Sequence, residues 1–410
     1  CSSKPAAEML SPQAPRDFDQ IFTAHFAGMT ADPVTADALL AVGDPRRRAP
    51  DAGDRAVNVA TLIMLPVRRV VGLAVLGWLC GVAGGSMAQS ANPPSAKAPR
   101  PASSSSSDMN TWLARLQEAP RKRVYAGTYV VSSSSGALSS ARIWHVCDGA
   151  QQMERVESLT GPPRSTFRRN DEVLTFHAND KRAVAEKREA PALFPNRVMP
   201  SEQALAGHYV LQPLAGERVA GHEADGVQLT PKDPWRFGYR IWSEKKTGLL
   251  VKLQTLDAAG QVLEQAAFSE IQFDTPVQME QLAQMMANTG GYRVEKADVV
   301  HTTAAAEGWA IRSTVPGFQQ TNCLKRPAPA SSTKSMVQWV FTDGLASISL
   351  FIEPFDPRRH QGERMVTMGA THLMMHRWPD RVGGDWWLTV VGEAPMHTLQ
   401  AFAQGLERRP

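Results

Sequence analysis

The chain has 410 residues, 43% of them hydrophobic and 20% charged, which is typical of a globular protein with room for two domains. The formal net charge is only +4, and no dense run of Lys and Arg with interleaved aromatic residues occurs. Nucleic acid is therefore excluded as an expected partner.

The segment 64–88 predicts export. Met64 opens a stretch that carries the basic pair ending at Arg69, an apolar run continues to Ala83, and a small-residue cleavage pattern ends at Ala88. This order is typical of a secretory signal peptide. The apolar run is short for a transmembrane anchor, which needs about 20 residues. We therefore expect cleavage after Ala88 and a soluble, exported protein.

The segments on either side of the signal peptide predict no fold. Residues 1–63 have little periodicity and are interpreted as a non-native or disordered extension, and the sequence leaves open whether they are translated. Residues 89–107 are rich in Pro, Ser and Ala and are expected to form a flexible tether.

Residues 108–275 predict a first domain built on an antiparallel sheet. Its clearest segment is 234–273, in which three apolar-rich runs are separated by polar turns that end at Gly248 and Gly260. Many further short alternating runs precede it, at the spacing typical of a large sheet.

Three local features of the first domain are predicted from breaker and turn residues. A helix with one apolar face is expected to begin just before Met109 and to end at Pro120. Residues 178–200 lose the alternation and contain three prolines, which predicts a long loop. A turn is expected from Glu223 to Gly226.

Residues 292–407 predict a second, smaller domain with a four- to six-stranded antiparallel sheet and a C-terminal helix that starts at Pro395. Asp343-Gly344 lies between two alternating runs and predicts a hairpin. The run Val366 to Trp378 is predicted to be one strand, and the connection between the domains is placed at about 274–292. The expected fold class is thus α+β with two domains.

Motifs for catalysis or cofactor binding are missing from the sequence. No nucleophile elbow, phosphate-binding loop, zinc-protease helix or dinucleotide fingerprint occurs, so no enzyme activity and no cofactor are predicted. His372 and His376 are expected on one strand about 13 Å apart, which disfavours a metal site. Cys147 and Cys323 are expected to be two buried thiols, although a disulfide between them is not excluded.

Aromatic residues are the remaining candidates for a binding site. They are either ordinary core or the lining of an apolar cleft wide enough for an acyl chain, and the sequence leaves both readings open. The candidate lipid-binding residues are Trp112, Tyr129, Trp144, Phe176, Trp235, Tyr239 and Trp242.

Short motifs along the chain are similar to those of the RseB and MucB family of periplasmic sigma-E regulatory proteins. In the first domain they are Trp112-Leu113, Tyr125-Ala-Gly-Thr128, Arg142-Ile-Trp-His145, Glu154-Arg155, Leu159-Thr-Gly-Pro-Pro-Arg164, Arg218-Val-Ala-Gly221, Pro231-Lys-Asp233, Arg236-Phe-Gly-Tyr-Arg240 and Thr247-Gly-Leu-Leu250. In the second they are Asp343-Gly-Leu-Ala346, Phe351-Ile-Glu353 and Val390-Val-Gly-Glu-Ala-Pro395. The match covers about residues 108–407 and is specific when its pieces are taken together, although no single piece is.

The resemblance implies a first domain shaped like the lipoprotein carriers LolA and LolB, an unclosed antiparallel half-barrel with helices, followed by the smaller second domain. It implies a periplasmic regulator that binds the periplasmic part of an anti-sigma factor of the RseA or MucA type and shields it from proteolysis. Lipoprotein or lipopolysaccharide fragments are the implied second ligands. A periplasmic lipid carrier is the alternative, and a homo-oligomer is left open.

Overall fold

The protein is described by a computed structural model over residues 106–409, with gaps at 188–193, 196–199, 201, 297–298, 327–334, 361 and 381–383. The predicted extension, the predicted signal peptide and nearly all of the predicted tether lie outside the described residues.

Two large sheets, a two-stranded ribbon and four helices make up the described chain. The helices are α1 (Ser106–Lys122), α2 (Glu202–His208), α3 (Met279–Ala287) and α4 (Met396–Gly405). The first twelve strands are β1 (Tyr125–Ser133), β2 (Leu138–Cys147), β3 (Gln152–Ser158), β4 (Arg164–Arg169), β5 (Glu172–His177), β6 (Arg182–Lys187), β7 (Tyr209–Val219), β8 (His222–Pro231), β9 (Gly238–Glu244), β10 (Leu250–Leu256), β11 (Val262–Phe273) and β12 (Arg293–Lys296). The remaining strands are β13 (Val300–His301), β14 (Trp309–Ile311), β15 (Gln319–Arg326), β16 (Met336–Thr342), β17 (Ser347–Pro354), β18 (Arg364–Met368), β19 (Thr371–Trp378), β20 (Trp386–Gly392) and β21 (Leu406–Arg408).

The first sheet has twelve strands in the order β12-β6-β5-β4-β3-β2-β1-β11-β10-β9-β8-β7. Its two end strands are not paired with each other, so the sheet stays open and the predicted unclosed sheet is confirmed. The pairs are antiparallel except at one edge, where β12 runs parallel to β6. The chain therefore remains attached to the first sheet as far as Lys296.

The two faces of the first sheet carry separate cores. On one face, α1 and α2 cover a core that includes Leu113 and Leu205 together with Tyr125 and Ile143 of the strands. On the opposite face, α3 inserts Leu282 into a second core. Since side chains alternate along a strand, neighbouring residues of one strand supply different cores.

The second sheet has seven strands in the order β13-β15-β16-β17-β20-β19-β18, one more than the largest number predicted. Its main core packs against α4, where Leu399 and Phe402 are buried. A separate two-stranded ribbon joins β14 to β21. The predicted second domain, an antiparallel sheet with a C-terminal helix, is confirmed.

Two predictions about where helices and strands end in the first domain are wrong. Pro120 does not end α1, which continues to Lys122, because a proline in the last turn forfeits only the bond to the Leu116 carbonyl. The predicted loop over 178–200 contains β6, whose small apolar residues gave little alternation.

Two turns also differ from the prediction. The β7–β8 hairpin turns at Ala220-Gly221, where both residues have positive φ, and not from Glu223 to Gly226. Gly226 lies inside β8, where an added Cβ would be 2.9 Å from the indole nitrogen of Trp242. The predicted single strand from Val366 to Trp378 is interrupted at Gly369, which also has positive φ.

Cys147 and Cys323 are free thiols in the structure, as expected, but only Cys323 has the expected burial. Cys323 is buried in the core of the second domain, and Cys147 is partly exposed at the end of β2.

Candidate functional site

The seven candidate aromatic residues occupy three different cores. The core beneath α1 holds Trp112, Tyr129, Tyr239 and Trp242; the core beneath α3 holds Trp144 and Phe176; and Trp235 packs against the core of the second domain. Only the first group is placed to meet one ligand. The core beneath α1 is therefore the candidate site for lipid binding.

This core contains a cluster of aromatic rings that the sequence did not single out. Phe194 and Phe268 lie 5.3 Å apart between ring centroids, and Tyr129 approaches them at 5.6 and 6.1 Å in edge-on arrangements. Such edge-on contacts are favourable for aromatic pairs. The cluster forms a dense apolar surface beneath α1.

Polar contacts hold α1 against this aromatic cluster. The indole nitrogen of Trp112 donates to Ser243 Oγ at 2.9 Å, and Arg115 donates to the carbonyl of Lys245 at 2.6 Å. The backbone approaches closely here, since a Cβ at Gly248 would be 3.1 Å from Arg115. The middle of α1 is thus attached to the turn between β9 and β10.

A buried histidine holds the other end of α1. His145 Nε2 donates to the Pro120 carbonyl at 2.6 Å, its ring stacks on Tyr125, and its Nδ1 lies 3.5 Å from Glu154 Oε2. Burial alone lowers the pKa of His145, but Cys147 and Glu154 outweigh it and raise the pKa to about 9. The ring is therefore a cation at neutral pH, which suits the C-terminal end of a helix.

The junction between the two domains is built around one buried arginine. Arg236, from the first domain, donates to Asp343 Oδ2 at 2.8 Å, to Asp233 Oδ1 at 3.0 Å and to the carbonyl of Pro316 at 2.5 Å. Tyr209 also donates to Asp343 Oδ2, at 3.0 Å. The side chains of Arg236 and Asp343 are both 0% exposed. We call these four groups, Arg236, Asp233, Asp343 and Tyr209, the junction cluster.

Electrostatics in the junction cluster favour the charged arginine. Burial by itself lowers the pKa of Arg236, but the hydrogen bond to Asp233 and the charge of Asp343 raise it overall. Burial, followed by the neighbouring Tyr239 and Asp343, raises the pKa of Tyr209 well above its usual value. The guanidinium therefore stays charged and the phenol stays neutral.

Each domain also contributes one apolar side chain to the core of the other. Asp343 Oδ1 accepts the backbone N–H groups of Leu345 and Ala346 at 2.8 and 2.7 Å, which fixes the β16–β17 hairpin. The hairpin places Leu345 in the core beneath α1. In return, Trp235 of the first domain packs against the core of the second.

The start of α4 secures the inserted tryptophan. Thr398 Oγ1 donates to the carbonyl of Trp235 at 2.9 Å, and His397 Nε2 lies 2.8 Å from the carbonyl of Pro234. The rings of Trp235 and His397 are 5.3 Å apart. The segment that was predicted to start a strand thus forms part of the domain contact, and β9 begins only at Gly238.

The sequence prediction missed the junction cluster. It placed Arg236 in an alternating strand pattern and Asp343 in a hairpin turn, without connecting the two. The charge of Arg236 within the aromatic run from Trp235 to Tyr239 was a signal that this side chain is special. Its partner Asp343 could not be identified, because it lies more than a hundred residues away in the sequence.

The described part of the chain contains neither a grouped set of metal ligands nor a membrane-spanning helix. There, no three His, Cys, Asp or Glu side chains are grouped so that they could hold a metal ion. His372 and His376 lie on β19, as predicted, and His372 Nδ1 donates to the Ala394 carbonyl at 2.6 Å. No helix between residues 106 and 409, outside the gaps, is long and apolar enough to span a bilayer.

Two family models match the chain, one in each domain. Residues 108–286 match the MucB/RseB N-terminal domain, and residues 303–407 match the MucB/RseB C-terminal domain. Together they span both sheets, and the junction cluster contains residues from each.

Relatives and solved structures match this chain over most of their own length. The sigma factor AlgU regulatory protein MucB of Pseudomonas aeruginosa is 31% identical over 298 residues, which are 72% of this chain and 90% of that protein. A chain in the complex structure of Pseudomonas aeruginosa MucA/MucB is 27% identical with a TM-score of 0.59, covering 74% of this chain and 99% of that one. A chain from the crystal structure of MucB in complex with MucA(peri) is 26% identical with a TM-score of 0.57, covering 73% and 98%.

Proposed function

We propose, from the premise that this chain belongs to the MucB/RseB family of sigma-factor regulatory proteins, that it binds the periplasmic part of a MucA-type anti-sigma factor in the periplasm. Binding covers the anti-sigma factor and shields it from the proteolysis that releases the sigma factor. This family is one of regulatory proteins and not of enzymes.

The observation that carries the proposal is the likeness to MucB over both domains. A chain in the MucA/MucB complex is matched over 99% of its length, so no domain of it lacks a counterpart here. The junction cluster adds physical support, because a buried ion pair between the domains favours one relative orientation. A partner that contacts both domains would depend on that orientation.

A binding experiment tests the partner. The purified protein is titrated with the periplasmic segment of the anti-sigma factor from the same organism, and complex formation is followed by calorimetry and by protection of that segment from a site-1-type protease. Saturable binding with protection is expected. A folded protein that neither binds nor protects the segment would overturn the proposal.

We further propose that acyl chains of lipoprotein or lipopolysaccharide fragments weaken this binding by entering the core beneath α1. Trp112, Tyr129 and the rings of Phe194 and Phe268 offer the apolar surface, and α1 is the removable cover. A ligand shifts the balance between two states only by its differential affinity for them. The acyl chain must therefore favour a state with α1 displaced, and the anti-sigma factor the state with α1 docked.

Adding a diacylated peptide to the preformed complex tests the sensing step. Release of the anti-sigma segment is expected, whereas the same peptide without acyl chains leaves the complex intact. If acyl chains do not affect binding, the proposal that the protein binds the anti-sigma factor stands and the proposal of lipid sensing fails. Tight acyl binding without any anti-sigma binding would favour a periplasmic lipid carrier.

A further inference from the structure

Cys147 lies on the face of the first sheet that α1 covers. Ile143 belongs to the core beneath α1, and His145 and Cys147 follow it on β2 at intervals of two residues. Because side chains alternate along a strand, all three point to the same face. The His145 ring is 2% exposed, whereas the Cys147 thiol is partly exposed. Cys147 therefore has a buried imidazole beside it and remains open to solvent.

The imidazole and the thiol both hold the C-terminal end of α1. His145 Nε2 donates to the Pro120 carbonyl at 2.6 Å, and Cys147 Sγ donates to the Arg123 carbonyl at 3.5 Å. The last carbonyls of a helix lack partners within the helix, so side chains of β2 provide them here. The end of α1 therefore depends on the chemical state of the sulfur.

The second ring nitrogen of His145 makes this thiol special. Among the described residues, Nδ1 makes no hydrogen bond, and the Glu154 carboxylate is 3.5 Å away. Burial lowers the pKa of His145, but Cys147 and then Glu154 outweigh it and raise the pKa to about 9, so the ring is a cation at neutral pH. A buried N–H without an acceptor is unfavourable, and a thiolate at Cys147 would supply one. A neighbouring cation favours the thiolate, which is the nucleophilic form.

Cys323 has the opposite surroundings. It is buried in the core of the second domain, and burial followed by the charge of Glu307 raises its pKa to about 11. Such a thiol stays protonated and unreactive near neutral pH. The chain thus carries an internal control for the reactivity of Cys147.

We propose that Cys147 is a modification site that reacts with low-molecular-weight disulfides, with His145 as the positioning residue. The Cys147 thiolate attacks one sulfur of the disulfide, so that a new sulfur–sulfur bond forms and the original one breaks. Cys147 is thereby oxidised and the disulfide is reduced. The departing thiolate takes the proton held by the imidazolium, and the products are a mixed disulfide and one thiol. Excess thiol reverses the reaction.

Exposure and charge at the end of α1 favour a small anionic disulfide. Cys147 is only partly exposed, and a small disulfide needs less access to the sulfur than the disulfide of a folded protein. Arg121 and Lys122 are exposed in the last turn of α1, and Arg123 follows them. Positive charge attracts a disulfide that carries carboxylates. Oxidised glutathione has these properties and is the probe.

Modification should loosen the last turn of α1. The modified sulfur no longer donates to the Arg123 carbonyl, and the added group needs room between β2 and the helix end. His145 loses the contribution of Cys147 that raised its pKa. Because α1 is the proposed cover of the acyl-binding core, modification should act in the same direction as an acyl chain. This link rests on the proposed function.

The reactivity of each thiol is measured at pH 7 with oxidised glutathione, and the adducts are located by peptide mass spectrometry. The chain unfolded in urea is the reference, because both thiols are then equally accessible. Cys147 should react at least about threefold faster in the folded protein than in the unfolded chain, and Cys323 at least about tenfold more slowly. A folded-state rate for Cys147 no higher than the unfolded rate would overturn the proposal. Faster reaction with the cationic disulfide cystamine, or a disulfide-linked dimer as the main product, would overturn the assigned ligand class.

Variants assign the reactivity to the pair of side chains. His145→Gln retains a donor for the Pro120 carbonyl but has no charge, so Cys147 should react about as slowly as in the unfolded chain. Glu157→Gln, at a partly exposed carboxylate of β3, should react like the parent protein. Thermal melts establish that each variant is folded. A parent-like rate in folded His145→Gln would contradict the role of His145.

A second measurement does not depend on changing the histidine. Ring resonances of His145 are titrated in the parent protein and in Cys147→Ser, which removes the thiol with little change in volume. The pKa of His145 should fall by at least about half a unit in the variant. An unchanged pKa would show that the two side chains are not coupled.

Hydrogen exchange then tests the response of α1. Amides in its last turn should exchange at least about tenfold faster in the mixed disulfide than in the reduced protein, and Cys147→Ser treated in the same way should show no change. Unchanged exchange in the mixed disulfide would overturn the proposed loosening. The mixed disulfide should also bind the anti-sigma segment more weakly than the reduced protein. If the reduced protein binds the segment but Cys147 is not modified, this inference fails and the proposed function stands. If Cys147 is modified but the reduced protein does not bind the segment, the reverse holds.

Discussion

The junction cluster and the strands β6 and β12 at one edge of the first sheet place arginine in opposite surroundings within one molecule. Arg236 is fully buried and meets two carboxylates and a carbonyl. Arg182 and Arg293 are partly or largely exposed and share one carboxylate. A structural arginine is therefore distinguished from a surface arginine by the number of carboxylates that contact its guanidinium.

Two histidines of the first sheet follow the same rule. His145 is opposite Glu154 in the register, and His177 is opposite both Arg164 and Arg182. Both rings are at least half-buried, yet the pKa of the first is raised to about 9 and that of the second is lowered to about 4. Burial lowers both pKa values, but Cys147 and Glu154 reverse this effect at His145, whereas Arg182 and Arg164 add to it at His177.

The largest effect is expected from Asp343→Asn. The change keeps the shape of the side chain but removes a buried charge from beside Arg236, so the free energy of unfolding should fall by about 3–5 kcal/mol. Guanidinium chloride denaturation measures it. Asp257→Asn is the matched control, because Asp257 caps a turn in the same way without a buried arginine. Its loss should be about 1 kcal/mol, and equal losses in the two variants would contradict the special role of the junction.

Glu154→Gln should have the next largest effect. Without this carboxylate the pKa of His145 falls, and the protein should lose about 1–2 kcal/mol at pH 7. Since the folded-state pKa of about 9 lies above the unfolded value of 6.5, the stabilisation by His145 is complete below pH 6.5 and is lost as the pH rises to about 9. The variant should show a flatter pH dependence of unfolding in this window. Glu157→Gln, on the exposed side of the same strand, should leave it unchanged.

Tyr209→Phe should cost about 1 kcal/mol, because it removes one hydrogen bond to Asp343 and leaves the ion pair in place. A double-mutant cycle with Asp343→Asn measures the coupling. Strict additivity of the two changes would show that the phenol acts independently of the carboxylate.

The smallest effect is expected from Arg182→Gln, and it has the opposite sign. The folded-state pKa of His177 lies below its unfolded value, so stability is complete above pH 6.5 and falls as the pH drops towards 4. Removing a neighbouring positive charge raises that pKa, and the variant should gain about 0.5 kcal/mol relative to the parent protein at pH 5. Arg312→Gln, an exposed arginine paired with Glu407, should give no such gain.

The sequence predicted those features that depend on neighbours along the chain. The alternation in 234–273 identified β10 and β11, and the Asp343-Gly344 dipeptide identified the β16–β17 hairpin. β6 was missed because Ala183 and Ala185 are too small to give a clear period. Pairing between residues that are far apart in the sequence could not be predicted from these local patterns.

The candidate sites show the same limit. The motif around Arg236 was recognised, but its partner Asp343 could be assigned only after the two domains were placed together. Likewise, nothing in the spacing of Arg164, His177 and Arg182 reveals that they are register partners, because the loop lengths between the strands decide it.

The insertion of Leu345 has a consequence for biosynthesis. The last antiparallel strand of the first sheet ends at Phe273, yet the core beneath α1 is complete only when residue 345 has been made and delivered to it. Domains generally fold in order as they emerge during synthesis. Here the core of the earlier domain is completed by a side chain of the later one, so a gene truncated between them would yield a product with one unfilled position in that core.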